Sequence, residues 1–446
     1  MFDKRLFVLL FFLLNSGCFL LGPTYHQPHV NVPSKWPNQH VIKVETASLP
    51  DLIWWKKFDS PELNDLIINA IRKNGDPNIA IANIEYAQSQ LQQIKLSWIP
   101  NLTLLAGYSQ FPILGNPGNF VIAFPLYAVN IIQQYKQQKS AKAKLEASLY
   151  ARDGIKLSVI SQVSAAFFTL LAQKEALILY RKLLNDYRYY LQLAQNQYKN
   201  GLIPQDTIDL LESQIQQTLS QVETTKHNIV VSKNALHYLL NENPGELTIK
   251  KTFESINTNG VIPGNLPLCV LNNRPDIREA EALLRAANAD VGAAVANFLP
   301  TLTLGAYLGS GSNVGGIKLG ESYLSGPIVD LPIFAQIRGS KASYKIQYIK
   351  YIVAIRAALR DVANDLSAYT TYTKQLNNSL SALNSKKRQC TLVQKRYKHG
   401  LSDNLELIQC QINVKQFELT TNKNKLEKML AIVTLYQDLA GGYNGV

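Results

Sequence analysis

The residues able to do chemistry are few and scattered along the chain. It holds six His and four Cys. No two His stand four apart with a carboxylate between them, and the Cys lack the paired spacing of a metal site or a redox dithiol. Gly320-Glu321-Ser322-Tyr323 begins like the turn that presents a nucleophilic serine, but the closing Gly is missing. Gly309-Ser310-Gly311-Ser312 lacks the third Gly of a dinucleotide loop and opens no helix. Asp206 and Asp209 are spaced like an acid and base pair, yet they stand at a helix start, where the macrodipole favours negative charge. The chain therefore reads as no enzyme, with no metal.

One residue does carry chemistry. Lys4 and Arg5 precede nine apolar residues, Leu6 to Leu14, followed by Asn15-Ser16-Gly17-Cys18. As a helix that run covers only about 14 Å at ~1.5 Å per residue, too short to cross a bilayer, and it reads as a signal-peptide core. Two small residues before a Cys resemble a bacterial lipobox, in which the thiol is acylated and the Cys becomes the first mature residue. Asn15 departs from the usual aliphatic residue there. The alternative is an ordinary cleaved signal whose Cys is incidental. Residues 1–17 are read as the leader, and a lipid on Cys18 is the only covalent group expected. Phe19 stands where an Asp would, by analogy, hold a lipoprotein at the inner membrane, so sorting to the outer membrane of a Gram-negative cell is favoured.

The composition agrees with an exported protein. Charged residues make up only 17% of 446, Tyr reaches 22, and 45 Lys and Arg against 32 Asp and Glu give +13. Losing residues 1–17 removes two bases and one acid, leaving 43 − 31 = +12. Nucleic-acid binders gather such charge into patches with motif aromatics, which are missing. No later stretch approaches 18 uninterrupted apolar residues, so no transmembrane helix is expected.

Architecture emerges from comparing the chain with itself. Trp98-Ile99-Pro100-Asn101-Leu102-Thr103-Leu104 recurs as Phe298-Leu299-Pro300-Thr301-Leu302-Thr303-Leu304, a shift of 200. Gln197-Tyr198-Lys199-Asn200-Gly201-Leu202 recurs as Arg396-Tyr397-Lys398-His399-Gly400-Leu401, a shift of 199. Two repeats follow, each running helix, strands, very long helix, turn, helix. Mostly apolar residues spaced three and four apart run from Val163 through Leu184 to Tyr198, from Tyr351 to Leu383 with Asp365 among them, and from Leu405 through Met429 to Ala440. This is coiled-coil periodicity. Long helices over 134–199 and 338–398 end at Gly201 and Gly400, which supply the left-handed residue of a C-cap before helices 206–242 and 404–440 return. Strand candidates are 101–110, 119–130, 301–309 and 322–333, of a length suited to tilted membrane strands. Four strands cannot close a bilayer barrel, because open edges in lipid leave backbone groups unpaired, so the chain must oligomerise to span.

The residues resemble a TolC-family outer-membrane factor of the NodT/OprM lipoprotein type. Gly22-Pro23-Thr24-Tyr25-His26-Gln27-Pro28, Trp54-Trp55 with Asp59-Ser60-Pro61-Glu62-Leu63, Arg274-Pro275-Asp276-Ile277-Arg278-Glu279-Ala280-Glu281, and Gly326-Pro327 through Leu331-Pro332-Ile333-Phe334 match family strings in order. The resemblance implies a mostly α protein with a membrane β-barrel: a homotrimer pooling 3 × 4 strands into one 12-stranded barrel above a helical tunnel. It implies a segment 18–60 and a linker 243–272 belted around the helices, repeats over 61–242 and 273–440, and a tail 441–446. The implied function is the gated outer-membrane exit duct of a tripartite efflux system, with a periplasmic adaptor and an inner-membrane pump as partners. Replacement of a family string by Pro125-Leu126-Tyr127-Ala128-Val129-Asn130 leaves the first hairpin's boundaries open. A type I secretion duct of the same fold, or a coiled-coil structural or adhesive lipoprotein without a channel, are the alternatives.

The resemblance also assigns roles. Gly201-Leu202 and Gly400-Leu401 would be the adaptor-docking tips, Leu405 the gate, and Gln409 stands where relatives carry a ring-forming Asp. Seven bases and no acid lie between 366 and 402. Cys390 and Cys410 each lie ten residues from Gly400, at one height on a hairpin, which would allow a bridge, although buried unpaired Cys is the expectation. If Cys18 is the lipid anchor, the intact mass of the mature protein starts at Cys18 and exceeds the polypeptide mass by two or three acyl chains. A bare mass, or a start elsewhere, removes the anchor.

Overall fold

The computed structural model describes residues 22–30, 51–109, 118–256, 273–305, 307–311, 314–318, 322–327 and 330–444. The leader, Cys18, Cys269 and most of the linker 243–272 lie outside them.

Two series of elements run in the same order. The first is α1 (Pro61–Lys73), α2 (Gly75–Leu96), β1 (Asn101–Ser109), β2 (Gly118–Val129), α3 (Ile131–Lys199) and α4 (Gln205–Leu239). The second is α5 (Pro275–Ala296), β3 (Thr301–Gly305), β4 (Tyr307–Gly311), β5 (Val314–Lys318), β6 (Ser322–Ser325), α6 (Leu331–Lys398) and α7 (Asn404–Asp438). Starts at 75 and 275, 101 and 301, and 131 and 331 keep the offset of 200; it becomes 199 because α3 has 69 residues and α6 has 68.

Two boundaries differ from expectation. The strand expected over 322–333 ends at Ser325, and α6 starts at Leu331 and not at 338. Pro332 is the cause: a proline in the first helical turn forfeits only an N–H that has no intrahelical partner, so it starts a helix where it would end a strand. Among the described residues the second hairpin holds β3 and β4, which pair with β2 in one shared register, and β5 and β6 beside them. β3 and β4 lie end to end along β2, with Leu126–Val129 against Leu302–Gly305 and Phe120–Ala123 against Leu308–Gly311, while β6 and β5 continue the next row. The sheet is thus an antiparallel ribbon four strands wide, with β1 at one side and β5 and β6 at the other.

The contacts gather into two compact units that do not follow the repeats: 1–31, 80–152 and 275–356 in one, and 32–79, 153–274 and 357–446 in the other. Each repeat gives its strand hairpin to the first and its helical hairpin to the second. In the first unit the sheet is tied to its helices by Asn130. Its Oδ1 accepts from Gln133 N (3.0 Å), capping α3, and its Nδ2 donates to Ala296 O (2.7 Å) and Leu299 O (3.1 Å) at the end of α5. One buried side chain so satisfies helix ends from both repeats.

In the second unit the helices are cored by Trp54, Trp55, Phe58, Phe167, Phe168 and Tyr436, with Phe253 and Ile256 from the linker. Trp54 stacks on Tyr436 at 4.9 Å and donates from Nε1 to Gly441 O (3.3 Å). Trp54, Trp55 and Phe58 before α1 and Phe253 and Ile256 after α4 thus pack with residues 159–172 of α3 and the C-terminal ends of α4 and α7. One 18-residue window of α3 is apolar enough to cross a membrane, but 61% of it is buried inside the protein, which makes it core. The packing stripes read from spacing are buried at Val163, Leu170, Leu184, Val362, Leu376, Ile412, Met429 and Val433.

Asp365 interrupts one stripe. Burial foremost, and then the carboxylates of Asp438 and Asp361 beside it, push its carboxyl up to about 8 against the pull of Arg274. Arg274 meanwhile donates to Asp438 O at 2.6 Å. An acid that titrates higher in the fold than its unfolded value near 4 binds its proton more tightly when folded, so stability is greatest in acid and falls as pH rises through about 8. Asp365→Asn should flatten that fall and melt above the wild type at high pH; equal pH slopes in the two proteins would show that Asp365 is ionised throughout.

Candidate functional site

The sheet divides its residues by face. Register pairs Ala106 with Val121, Tyr127 with Leu304, Val129 with Leu302, and Leu302 with Leu324, so these share one face with Leu102, Leu104 and Tyr108. The opposite face carries Asn101, Thr103, Gly107, Thr301, Thr303, Tyr323 and Ser325, while register sets Leu105 of β1 and Phe120, Ile122, Phe124 and Leu126 of β2 on that same side. Leu102 and Leu104 are 74% and 67% exposed, and Tyr108, Val121 and Leu324 are exposed with them. Exposed apolar residues at alternating positions of β1, continued on β2 and β6, suit a face turned to lipid. β2 stays apolar on both faces, as the less regular alternation of the first hairpin's sequence suggested. Exposed Ile99, Ile131, Tyr135, Leu331 and Phe334 continue the apolar surface where the strands join the helices.

The tips of both helical hairpins have one geometry. Leu202 N donates to Gln197 O (3.0 Å) and Gly201 N to Tyr198 O (2.8 Å); Leu401 N donates to Arg396 O (2.9 Å) and Gly400 N to Tyr397 O (3.0 Å). These are paired Schellman closures with Gly201 at φ 71° and Gly400 at φ 74°. In such closures the residue after the Gly usually rests on an apolar side chain five positions back. Here those positions are Gln197 and Arg396, so Leu202 and Leu401 stay 70% and 75% exposed.

Below the tips the hairpins differ. Asp206 lies in the first turn of α4 and Gln205 donates to Asp209 at 2.9 Å, so these carboxylates serve the helix start. At the second tip Asp403 Oδ1 caps α7 by accepting from Glu406 N (2.7 Å), and Glu406 is held by Ser402 and by an ion pair with Arg396 of α6. Farther in, Cys390 and Cys410 form a disulfide with Cα atoms 5.3 Å apart, which corrects the expectation that they are unpaired. The equal distance from Gly400 decided it, since antiparallel helices bring such positions to one level. Closing a loop over a separation of 20 residues stabilises the hairpin by about 3 kcal/mol through the unfolded chain.

Leu405 and Gln409 sit one turn apart at the start of α7, both half-buried, and Gln409 Nε2 donates to Asn413 Oδ1 (3.2 Å). The next positions inward, Ile408 and Ile412, join the core formed with Leu184, Tyr187 and Ile208. Reading the basic run without its neighbours missed its counterions. Lys387 pairs with Glu418 at 3.0 Å, Glu418 also takes Lys415 (2.9 Å), and Lys386 lies over the Phe417 ring. Although partly buried, Glu418 is held below the usual carboxylate range by these two lysines. The available signal was the turn itself: the chain reverses at Gly400 and brings α7 beside the basic run, and the acids missing from that run stand on α7. Among the described residues no group of three or more His, Cys, Asp or Glu could hold a metal.

Comparison with known proteins agrees with this arrangement. The family described as outer membrane efflux protein matches twice, over residues 66–242 and 266–441, one match for each repeat. The chain is 25% identical over 96% of its length to the toluene efflux pump outer membrane protein TtgC of Pseudomonas putida, covering 93% of it. It is 25% identical over 98% of its length to nodulation protein T of Rhizobium leguminosarum bv. trifolii, covering 97% of that chain. Among solved structures, the open state of the Neisseria gonorrhoeae MtrE outer membrane channel superposes with a TM-score of 0.82 at 26% identity, covering 95% of this chain and 98% of the other. With both repeats matched and an apolar-faced sheet running into paired helical hairpins, the chain belongs to the outer membrane efflux protein family.

Proposed function

We propose that the chain is the outer-membrane exit duct of a tripartite efflux system, assembled as a homotrimer, anchored through lipid on Cys18, and fed by an inner-membrane pump through a periplasmic adaptor. The observation that carries this reading is the four-wide sheet with an exposed apolar face, whose strands pass directly into helices of 69 and 68 residues. A coiled-coil lipoprotein without a channel has no use for that face. Unpaired backbone at β1 on one side and at β5 and β6 on the other can be satisfied in lipid by the same edges of further copies, and three copies of four strands give 12. The relatives named for toluene or solvent efflux support export as the activity and leave the cargo of this chain to its pump.

The tips Gly201-Leu202 and Gly400-Leu401 are the docking points for the adaptor: each offers one exposed leucine on a rigid closure, a compact target for a helical hairpin. Leu405 is the gate residue, repeated in each copy as an apolar constriction that resists wetting, with Gln409 one turn farther in where relatives place an acid.

Leu202→Asp with Leu401→Asp should abolish efflux-dependent drug tolerance while the oligomer still assembles, because neither leucine contributes to the core. Unchanged tolerance would refute docking at the tips. In planar bilayers Leu405→Ala should conduct more than wild type, and a reversal potential across a salt gradient should show weaker cation preference than in relatives that carry the acid. A variant that conducts no better removes Leu405 as the gate, and strong cation selectivity shows that Gln409 and the bases of α6 do not set permeation.

A further inference from the structure

The first compact unit holds a basic pocket that the duct reading leaves unused. Lys136, Lys139 and Lys142 lie three apart on one side of α3, and Arg285 of α5 and Tyr25 of the N-terminal segment complete the wall. Among the described residues no carboxylate pairs with any of the three lysines. Lys136 is half-buried, and burial first and Lys139 second hold its ammonium below the usual range. The acid in the pocket, Glu146, is taken by Arg285 Nη1 at 2.8 Å, while Arg285 Nε is buried with no hydrogen-bond partner. Three cations and a guanidinium against one carboxylate leave this pocket three charges positive, and an unpartnered N–H is available to an oxygen-rich anion.

Its place in the chain says which anion. Lys136 is seven residues past the end of β2, about 10 Å along the helix at ~1.5 Å per residue, next to exposed Tyr135 and Ile131. The segment beginning at Gly22 is fixed beside the pocket: a Cβ on Gly22 would lie 2.6 Å from Gly292 Cα, Asn288 Nδ2 donates to Pro23 O (3.1 Å), and Tyr25 Oη donates to Glu281 (3.3 Å). Cys18 is four residues earlier, so its Cα is within about 14 Å of that of Gly22 even with the chain extended. Acyl chains on Cys18, where the proposed anchor holds, would enter the leaflet within that reach of Gly22.

We propose that Lys136, Lys139 and Lys142, with Arg285, seat the phosphate headgroup of an anionic phospholipid from the leaflet that receives the lipid on Cys18. This rests on the outer-membrane reading. Lys139 and Lys142 are exposed and draw the headgroup by charge, whereas Lys136, its stem against Gly292, and the free Nε of Arg285 supply the inner contacts. A basic pocket beside a bilayer gains roughly five-fold in affinity for each lysine near the surface.

The test uses the purified full-length protein in detergent, titrated with phosphatidylglycerol or phosphatidylcholine and read by native mass spectrometry, with inorganic phosphate as a competitor. Phosphatidylglycerol should bind in preference, and Lys139→Gln with Lys142→Gln, both exposed and outside the core, should weaken it by roughly 25-fold while phosphatidylcholine is unaffected. Equal binding of the two lipids, or a double variant that keeps its preference, overturns the proposal. Displacement of phosphatidylglycerol by millimolar inorganic phosphate also overturns it, in favour of a site for a free anion. Conductance of the same preparation separates the two readings. A conducting protein without lipid preference loses the headgroup seat and keeps the duct, and a non-conducting one that retains the preference does the reverse.

Discussion

A strand edge cannot be left bare in hydrocarbon, and the rest of this structure depends on that constraint. Each unpaired N–H or C=O in lipid costs several kcal/mol, so an open sheet four strands wide is not a finished object. Its edges at β1 and at β5 and β6 ask for further copies of the same chain, because only those present a matching row. The long helices then follow as the means by which copies held together by a sheet continue beyond it. Their cores are built to the same logic: buried stripes on α3, α6 and α7 face neighbours within the chain, and partly buried positions remain on the flanks.

Much of this was legible in the residues because the information was periodic. An offset of 200 between Trp98-Ile99-Pro100 and Phe298-Leu299-Pro300 fixes where strands begin in both repeats, and spacing of three and four fixes which side of each helix is buried. Gly201 and Gly400 were legible for a different reason, since a left-handed backbone position has few residues that suit it. What escaped was what depends on a neighbour distant in the chain. Which strand of the second hairpin meets β2, and in what register, is set by pairing between distant parts of the chain, and the start of α6 by whether Pro332 falls within a strand or at a helix start.

The candidate site shows the same division. Leu202 and Leu401 could be singled out as repeated apolar residues beside a glycine, but their exposure follows from Gln197 and Arg396, which cannot cover them. The basic run on α6 misled when taken alone, because Glu406 and Glu418 lie past the turn. Asp365 was visible as an acid in an apolar stripe, while its raised proton affinity comes from burial first and then from Asp438 and Asp361 beside it.

The Cys390–Cys410 bridge gives the two hairpins unequal mechanical character. A partner pulling on Leu401 loads a closed covalent ring, so α6 and α7 cannot splay apart above the bridge and the force passes inward to the helices as a couple. A partner pulling on Leu202 loads a hairpin joined only by packing, whose last turns can separate before the rest responds. Two tips alike in outline are thus a stiff lever and a compliant one.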